Sequence, residues 1–258
     1  MSLPDLFDLS GKVVLVTGAA GGLGREFADA VAEAGADVAC ADLHGTAAAD
    51  TAAAVEKRGR RAVSITCDVT DEQQVTDIIE TTVRDLGRLD VVFNNAGVAD
   101  APPVPAHQMS SASWHHVINV DLHGVYYTAR EALKVMVEQG SGKIINVASM
   151  WGIAGSAGIV PMPGYTAAKG AVVNLTRELG LEYATSGIQV NALCPGFFRT
   201  EFGEYGDPQF VATVSDYTPM RRVAAASEIR GPALFLASAA SDFMTGQCLV
   251  VDGGVLAG

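Results

Sequence analysis

Lys12-Val13-Val14-Leu15-Val16-Thr17, running into Gly18-Ala19-Ala20-Gly21-Gly22-Leu23-Gly24, is the stretch that decides the fold. An apolar, β-branched run enters a glycine-rich turn, and a helix-period pattern over 22–34 leaves it. In such a strand–turn–helix unit, missing side chains let backbone N–H groups approach a pyrophosphate at the positive end of the helix. A tight glycine turn alone says little, but this one follows the first strand of an alternating pattern. Its spacing is TGxxxGxG and not GxGxxG.

Working outward, strand-like runs recur at 12–17, 37–42, 62–67, 90–94, 142–148, 188–193 and 247–251. Amphipathic helical patterns lie between them at 22–34, 46–58, 71–86, 113–138, 164–185 and 227–236. Gly35, Gly59, Gly87, Gly140 and Gly187 each follow a helical pattern, where a left-handed C-terminal glycine belongs. Seven strands alternating with helices predict an α/β fold: a parallel sheet with helices on both faces. No linker or composition break divides the chain, so residues 1–258 read as one domain. The stretches 99–109 and 197–220 lack clear periodicity and are the natural substrate-side loops.

Composition narrows the function classes. The chain has 258 residues, 17 Lys and Arg against 29 Asp and Glu, and a formal charge of −12. With 49% hydrophobic residues it can bury a sizeable core. Phosphate contacts need clustered Lys and Arg, so the acidity argues against a nucleic-acid partner. Asp5 and Asp8 near the start do not fit a signal peptide. Residues 144–168 carry no charge, but their Asn, Ser, Pro and Gly content argues against a membrane span. Cys40, Cys67, Cys194 and Cys248 lack metal-site spacing and read as buried free thiols of a reducing cytoplasm. His107, His115, His116 and His123 suggest no metal site, so none is expected.

The nucleotide end is read from Gly18, Ala20, Gly22, Leu23 and Gly24, together with Asp42-Leu43 at the end of the second strand. A carboxylate at Asp42 can accept from both hydroxyls of an adenosine ribose and would repel a 2′-phosphate. Neither Ala19 nor Ala20 offers a compensating cation, so NAD(H) is favoured over NADP(H). Asp68-Val69 could flank the adenine edge, and Asn94-Asn95-Ala96-Gly97 permits close backbone approach to the cofactor.

At the chemical end, Tyr165 and Lys169 stand four apart on one helix face. A tyrosine with a reference pKa near 10 is too weakly acidic to serve as a base at neutral pH. An adjacent ammonium lowers that value. Ser149, at the end of the fifth strand, supplies a hydroxyl for the substrate oxygen. Ser156 is an alternative hydroxyl without the strand-end context.

These residues together resemble the short-chain dehydrogenase/reductase family, over nearly the whole chain. The resemblance is carried by Thr17-Gly18-x-x-x-Gly22-x-Gly24, Asn94-Asn95-Ala96-Gly97, Tyr165-x-x-x-Lys169, Asn191-Ala192-Leu193-Cys194-Pro195-Gly196 and Val250-Val251-Asp252-Gly253-Gly254. It implies a Rossmann-type doubly wound sheet. It also implies that Ser149 polarises the substrate, Tyr165 is the acid/base, and Lys169 binds ribose while lowering the Tyr165 pKa. Pro195, Gly196, Phe198 and Thr200 are implied at the nicotinamide end, with 197–220 as a mobile substrate lid. A homotetramer is implied as well.

Two departures stand out. The family usually has 12 residues between Ser and Tyr, whereas Ser149 and Tyr165 have 15 between them. The Gly- and Pro-rich loop 150–163 is expected to bulge into the substrate mouth. The family's catalytic Asn position holds Asp121, and Asn119, two residues earlier, faces elsewhere on a helix. Asp121 is therefore expected to accept from a water chain to Lys169.

The reading is an NAD(H)-dependent oxidoreductase acting on a small-molecule secondary alcohol or ketone: a sugar acid, polyol or cyclic alcohol. The rival from another class is a catalytically silent NAD-binding sensor or scaffold. Among enzymes, the alternative is a 3-oxoacyl carrier-protein reductase.

Overall fold

The computed structural model describes residues 2–257. Its strands are β1 (Val13–Thr17), β2 (Asp37–Asp42), β3 (Ala62–Thr66), β4 (Val91–Asn94), β5 (Gly142–Val147), β6 (Ile188–Pro195), β7 (Phe198–Arg199), β8 (Ala224–Ala225) and β9 (Cys248–Val251). The helices are α1 (Leu3–Leu6), α2 (Gly22–Glu33), α3 (Gly45–Lys57), α4 (Glu72–Leu86), α5 (Ser111–Ile118), α6 (Gly124–Gln139), α7 (Pro163–Glu182), α8 (Pro208–Tyr217) and α9 (Arg230–Ala237).

Seven strands form one parallel sheet in the order β3-β2-β1-β4-β5-β6-β9, as the alternating pattern predicts. Every residue of β1 is buried, because helices cover both faces of the sheet. Alternation splits the strand between two cores. Val14 and Val16 pack with Phe27 and Val31 of α2 and Leu236 of α9. Val13 and Leu15 pack with Ile78 of α4 and Leu133 and Met136 of α6.

Strand order reverses between β1 and β4, so the loops leaving these two strands diverge and open a crevice at their carboxyl ends. The glycine turn after β1, Asn95-Ala96-Gly97 after β4, Ser149 after β5 and Gly196 after β6 all lie on that rim. Helix α7 is tied to the rim from below. Asn94 Nδ2 donates to Asn146 Oδ1 at 2.8 Å, and Asn146 Nδ2 donates to Thr176 Oγ1 at 2.9 Å. This buried chain fixes the helix bearing Tyr165 and Lys169 relative to β4 and β5.

Three stretches differ from the sequence reading. The single helix expected over 113–138 is α5 and α6, joined by a π-helical turn over Asn119–His123. The widened turn leaves Asp121 fully buried, while Asn119 is exposed and bonds His123 at 3.0 Å. The segment 197–220 is not a plain loop. It contains β7, which pairs with β8, and ten-residue α8, whose N-terminus is capped by Asp207 accepting from Gln209 N. Helix α8 is short and has a single buried residue, Val214, too little periodicity to see in sequence. The pattern over 227–236 divides into a 3₁₀ turn over Ala226–Ile229 and α9.

Among the described residues, no helix is long and apolar enough to cross a membrane. Cys40, Cys67 and Cys194 are buried free thiols; Cys248 is half-buried rather than buried.

Candidate active site

The turn after β1 needs its glycines. Gly18 and Gly22 have φ of +67° and +52°, a region side chains disfavour, and a Cβ at Gly24 would sit 2.1 Å from the Gly18 carbonyl oxygen. Asn95 braces the turn from the next strand, donating from Nδ2 to Thr17 O at 3.0 Å and Gly18 O at 3.1 Å. Thr17 Oγ1 in turn accepts from the amides of Asn95 and Ala96. Asn95 thus shapes the turn through its side chain, a role beyond the close approach read from sequence.

One amide at the start of α2 donates to an anion here. Gly22 N donates to the Glu201 carboxylate at 3.1 Å, so a negatively charged oxygen already fits the place a pyrophosphate oxygen would take. Asp42 Oδ2 accepts from Ala20 N and Oδ1 from His44 N, both at 2.9 Å. This carboxylate therefore stands beside the turn in the expected register. Leu43 is exposed next to it, and Leu23 is half-buried behind the turn. The residues fit a dinucleotide: a glycine turn with an amide donor at the phosphate end and a carboxylate at the ribose end.

Asp68 turns back on its own loop, with Oδ1 accepting from Thr70 N and Oγ1. Val69 is buried, and a Cβ at Gly124 would lie 2.7 Å from it. Gly97 approaches the buried charges closely; a Cβ there would lie 3.4 Å from Lys169 Nζ. Gly196 packs on the chain's tail, since a Cβ there would lie 2.6 Å from Asp252 Cα. Phe198 points its side chain into the main core, so any contact with the nicotinamide end would be through its backbone. Thr200 lies beside Gly22, its Cβ 3.5 Å from where a Gly22 Cβ would be.

Ser149, Tyr165 and Lys169 converge. Ser149 leaves β5 in extended conformation, and its Oγ caps the next turn by accepting from Trp151 N at 3.1 Å. The Tyr165 phenol is buried, and the nearby Ser149 hydroxyl is one of the groups that pull its pKa down. Ser156 is buried elsewhere in the loop, its carbonyl accepting from Ile159 and Val160. Lys169, one turn along α7, donates to Val147 O at 3.0 Å, and its Nζ lies 5.6 Å from the Tyr165 ring centre.

Asp121 departs from expectation. Its Oδ2 lies in direct contact with Lys169 Nζ at 3.2 Å, and Oδ1 accepts from Val98 N at 2.7 Å. The π-turn brings the carboxylate inward far enough to pair with the ammonium. Burial pushes the Asp121 carboxyl up, against the pull of Lys169 and the Val98 amide. Burial pulls Lys169 down, but Asp121 and Tyr165 hold it above its usual range, so the proton rests on the lysine. Burial also drives the Tyr165 phenol above its ordinary value, with Lys169 pulling the other way and Asp121 adding to the rise. The lowering expected from Lys169 is present but outweighed.

A family profile described as enoyl-(acyl carrier protein) reductase matches residues 18–256. A cis-4-hydroxycyclohexanecarboxylate dehydrogenase from Sinomonas cyclohexanicum is 40% identical, over 95% of this chain and 97% of its own. A short-chain type dehydrogenase/reductase from Mycobacterium marinum superposes with a TM-score of 0.95 at 37% identity, over 100% of both chains. The chain belongs to the short-chain dehydrogenase/reductase family. A gluconate 5-dehydrogenase from Burkholderia cenocepacia J2315, solved in complex with NADP and tartrate, matches this dehydrogenase/reductase with a TM-score of 0.92 at 35% identity, covering 100% of each chain.

Two residues of this dehydrogenase/reductase escaped the sequence reading. Asp100 Oδ2 accepts from Gly164 N at 3.1 Å and Tyr165 N at 3.3 Å, holding the first turn of α7 and with it the phenol. Burial pushes its carboxyl up, while those two amides pull it down. The one available signal was a lone acid in the apolar run Val98-Ala99-Asp100-Ala101-Pro102. Glu201 reaches Gly22 across the chain from the 197–220 segment, a pairing no local pattern encodes.

Proposed function

We propose that this short-chain dehydrogenase/reductase interconverts a secondary alcohol and a ketone, using NAD(H), with Tyr165 as acid/base. The observation that carries the reading is the convergence on the crevice rim of Ser149, at the end of β5, with the buried Tyr165 phenol and the Lys169 ammonium 5.6 Å from its ring. A dinucleotide bound along Gly18–Gly24 and Asp42 would supply the hydride acceptor or donor. Ser149 Oγ would hold the substrate oxygen through a hydrogen bond. Tyr165 takes the hydroxyl proton in oxidation and returns it to the carbonyl oxygen in reduction. Lys169 keeps a positive charge beside the phenol, and Asp121 keeps that charge in place. Asp100 holds the turn that aims Tyr165.

NAD(H) is favoured over NADP(H) because the Asp42 carboxylate, fixed by Ala20 N and His44 N, would face a 2′-phosphate with like charge. Ala20, Leu23, Leu43, Asp68, Val69, Ala96, Gly97, Pro195, Gly196 and Thr200 complete the proposed dinucleotide path. The protein is also proposed to be cytoplasmic and to work as a homotetramer, which light scattering reporting a monomer would contradict.

The reading is tested by following NADH absorbance with a panel of secondary alcohols, for wild type and Tyr165→Phe, with NAD+ and NADP+ in parallel. Turnover with NAD+ that is lost on Tyr165→Phe is expected. Turnover unchanged by that substitution refutes the mechanism, and a higher kcat/KM with NADP+ refutes the cofactor. Tight NAD binding without turnover of any substrate would point to a sensor or scaffold.

A further inference from the structure

We propose that the substrate of this site is an uncharged secondary alcohol, or its ketone, borne on an apolar ring, and not a sugar acid or other anion; the inference rests on the dehydrogenase reading above. Two independent features lead there: the surface around the catalytic phenol, and the charge of the segments that surround it.

The surroundings of the phenol are apolar and aromatic, with a buried backing and two exposed rings, Phe202 and Tyr217. Tyr165 packs in one buried cluster with Val117, Met150 and Trp151. The Phe202 ring rests 5.9 Å from the Tyr165 ring, tilted by 46°, so a six-membered apolar ring is already accepted against the phenol. Trp151 gathers two further rings, Phe197 at 6.1 Å and Tyr217 at 6.0 Å. These rings come from the end of β5, the link after β6 and the end of α8, so three separate segments present aromatic side chains to one place. Exposed rings such as Phe202 and Tyr217, backed by this cluster, bind a flat or chair-shaped carbon ring by burying its area. A polyol would need instead a set of buried donors and acceptors to replace its water. Residues 150–164 contain no charged residue and no Asn, Gln or His, and their lone hydroxyl residue, Ser156, is buried.

The charge is unfavourable for an anion. Segment 197–220 carries Glu201, Glu204, Asp207 and Asp216 against the cation Arg199, and of these acids Asp216 is paired with Arg221 just beyond the segment, at 3.7 Å. Arg199 is exposed and donates to the Tyr205 carbonyl at 3.0 Å. Residues 95–110 add Asp100 and no Lys or Arg. The ammonium nearest the phenol, Lys169, is already paired with Asp121. A carboxylate entering this mouth would be desolvated by rings, find no partner there, and approach through a field of its own sign.

The test compares three substrates with NAD+: methyl 4-hydroxycyclohexanecarboxylate, the free 4-hydroxycyclohexanecarboxylate, and D-gluconate. The first two differ in charge and share the ring. The ester is expected to show a kcat/KM at least about tenfold above the acid, with gluconate lower still. Added salt is expected to lower KM for the acid and leave the ester's unchanged, because screening relieves repulsion only for a charged ligand. An acid oxidised as well as the ester, or gluconate oxidised better than either, overturns the proposal. If the acid's advantage then disappears in Arg199→Ala, that arginine is its anchor. No turnover of the ester while other secondary alcohols of the panel are oxidised overturns this inference alone, and no turnover of any panel alcohol, with NADH still bound, overturns the dehydrogenase reading and this inference with it.

Discussion

Replacing Asp121 by asparagine removes one negative charge from the buried series Tyr165, Lys169, Asp121 while keeping an acceptor for Val98 N. The carboxylate lies 3.2 Å from Lys169 Nζ, which lies 5.6 Å from the Tyr165 ring centre, so the two legs bound its separation from the phenol ring at about 9 Å. At an effective dielectric of about 20, a unit charge at about 9 Å is worth about 1.8 kcal/mol, or about 1.4 pKa units. The sign follows from which form the charge opposes. Asp121 disfavours the phenolate and contributes to the raised Tyr165 pKa, so its removal lowers that pKa. In the proposed mechanism alcohol oxidation uses the deprotonated phenol, and the acid limb of kcat/KM against pH should therefore move to lower pH by about one unit. The assay is steady-state oxidation across pH by wild type and Asp121→Asn, with matched thermal unfolding to show that both are folded. An acid limb that stays put, or moves to higher pH, would refute the coupling of this carboxylate to the phenol through Lys169.

Further expectations concern the cofactor and the helix carrying the phenol. Asp42→Ser should lower the NAD+/NADP+ ratio of kcat/KM by about tenfold or more, because the like charge facing a 2′-phosphate is gone; an unchanged ratio would show that another residue sets the preference. Glu201→Gln should tighten NADH binding by about two- to fivefold in a fluorescence titration, since a carboxylate at a helix N-terminus is worth about 0.3–1 kcal/mol and here competes with the pyrophosphate. Weaker binding would mean that Glu201 assists the cofactor. Asp100→Ala should cost about 1–2 kcal/mol of stability and reduce kcat, because Gly164 and Tyr165 lose the oxygen that holds their amides. Asp100→Asn keeps an acceptor and removes a carboxylate whose pKa burial raises. The raised folded pKa means that ionised Asp100 opposes folding increasingly as pH rises above the unfolded value near 3.9. Asp100→Asn should therefore match or exceed the wild-type Tm at neutral pH, and a fall equal to that of Asp100→Ala would refute this account.

The sheet and its strand–helix alternation were legible because they are written in local periodicity. Val13–Thr17 is apolar throughout, and a strand buried on both faces has no other way to read. The glycine turn, Tyr165 and Lys169 were legible for a similar reason, since a turn of backbone amides and a one-turn helical offset are short-range geometry. The helix of 197–220 was not legible, because ten residues with one buried side chain leave no period to detect.

Residue types and spacing by themselves determined the sheet, the strand ends that carry the site, and the presence of Ser149, Tyr165, Lys169 and Asp42. Tertiary structure alone decided what those groups feel. Asp121 pairs directly with Lys169 because a π-turn widens the helix there, and a pattern of 3.6 residues cannot announce its own interruption. Asp100 and Glu201 reach residues 64 and 179 positions away in sequence, through contacts that exist only once loops from different strands meet at the rim. The raised phenol has the same origin, because burial is set by every segment that covers Tyr165 and not by its neighbours in sequence.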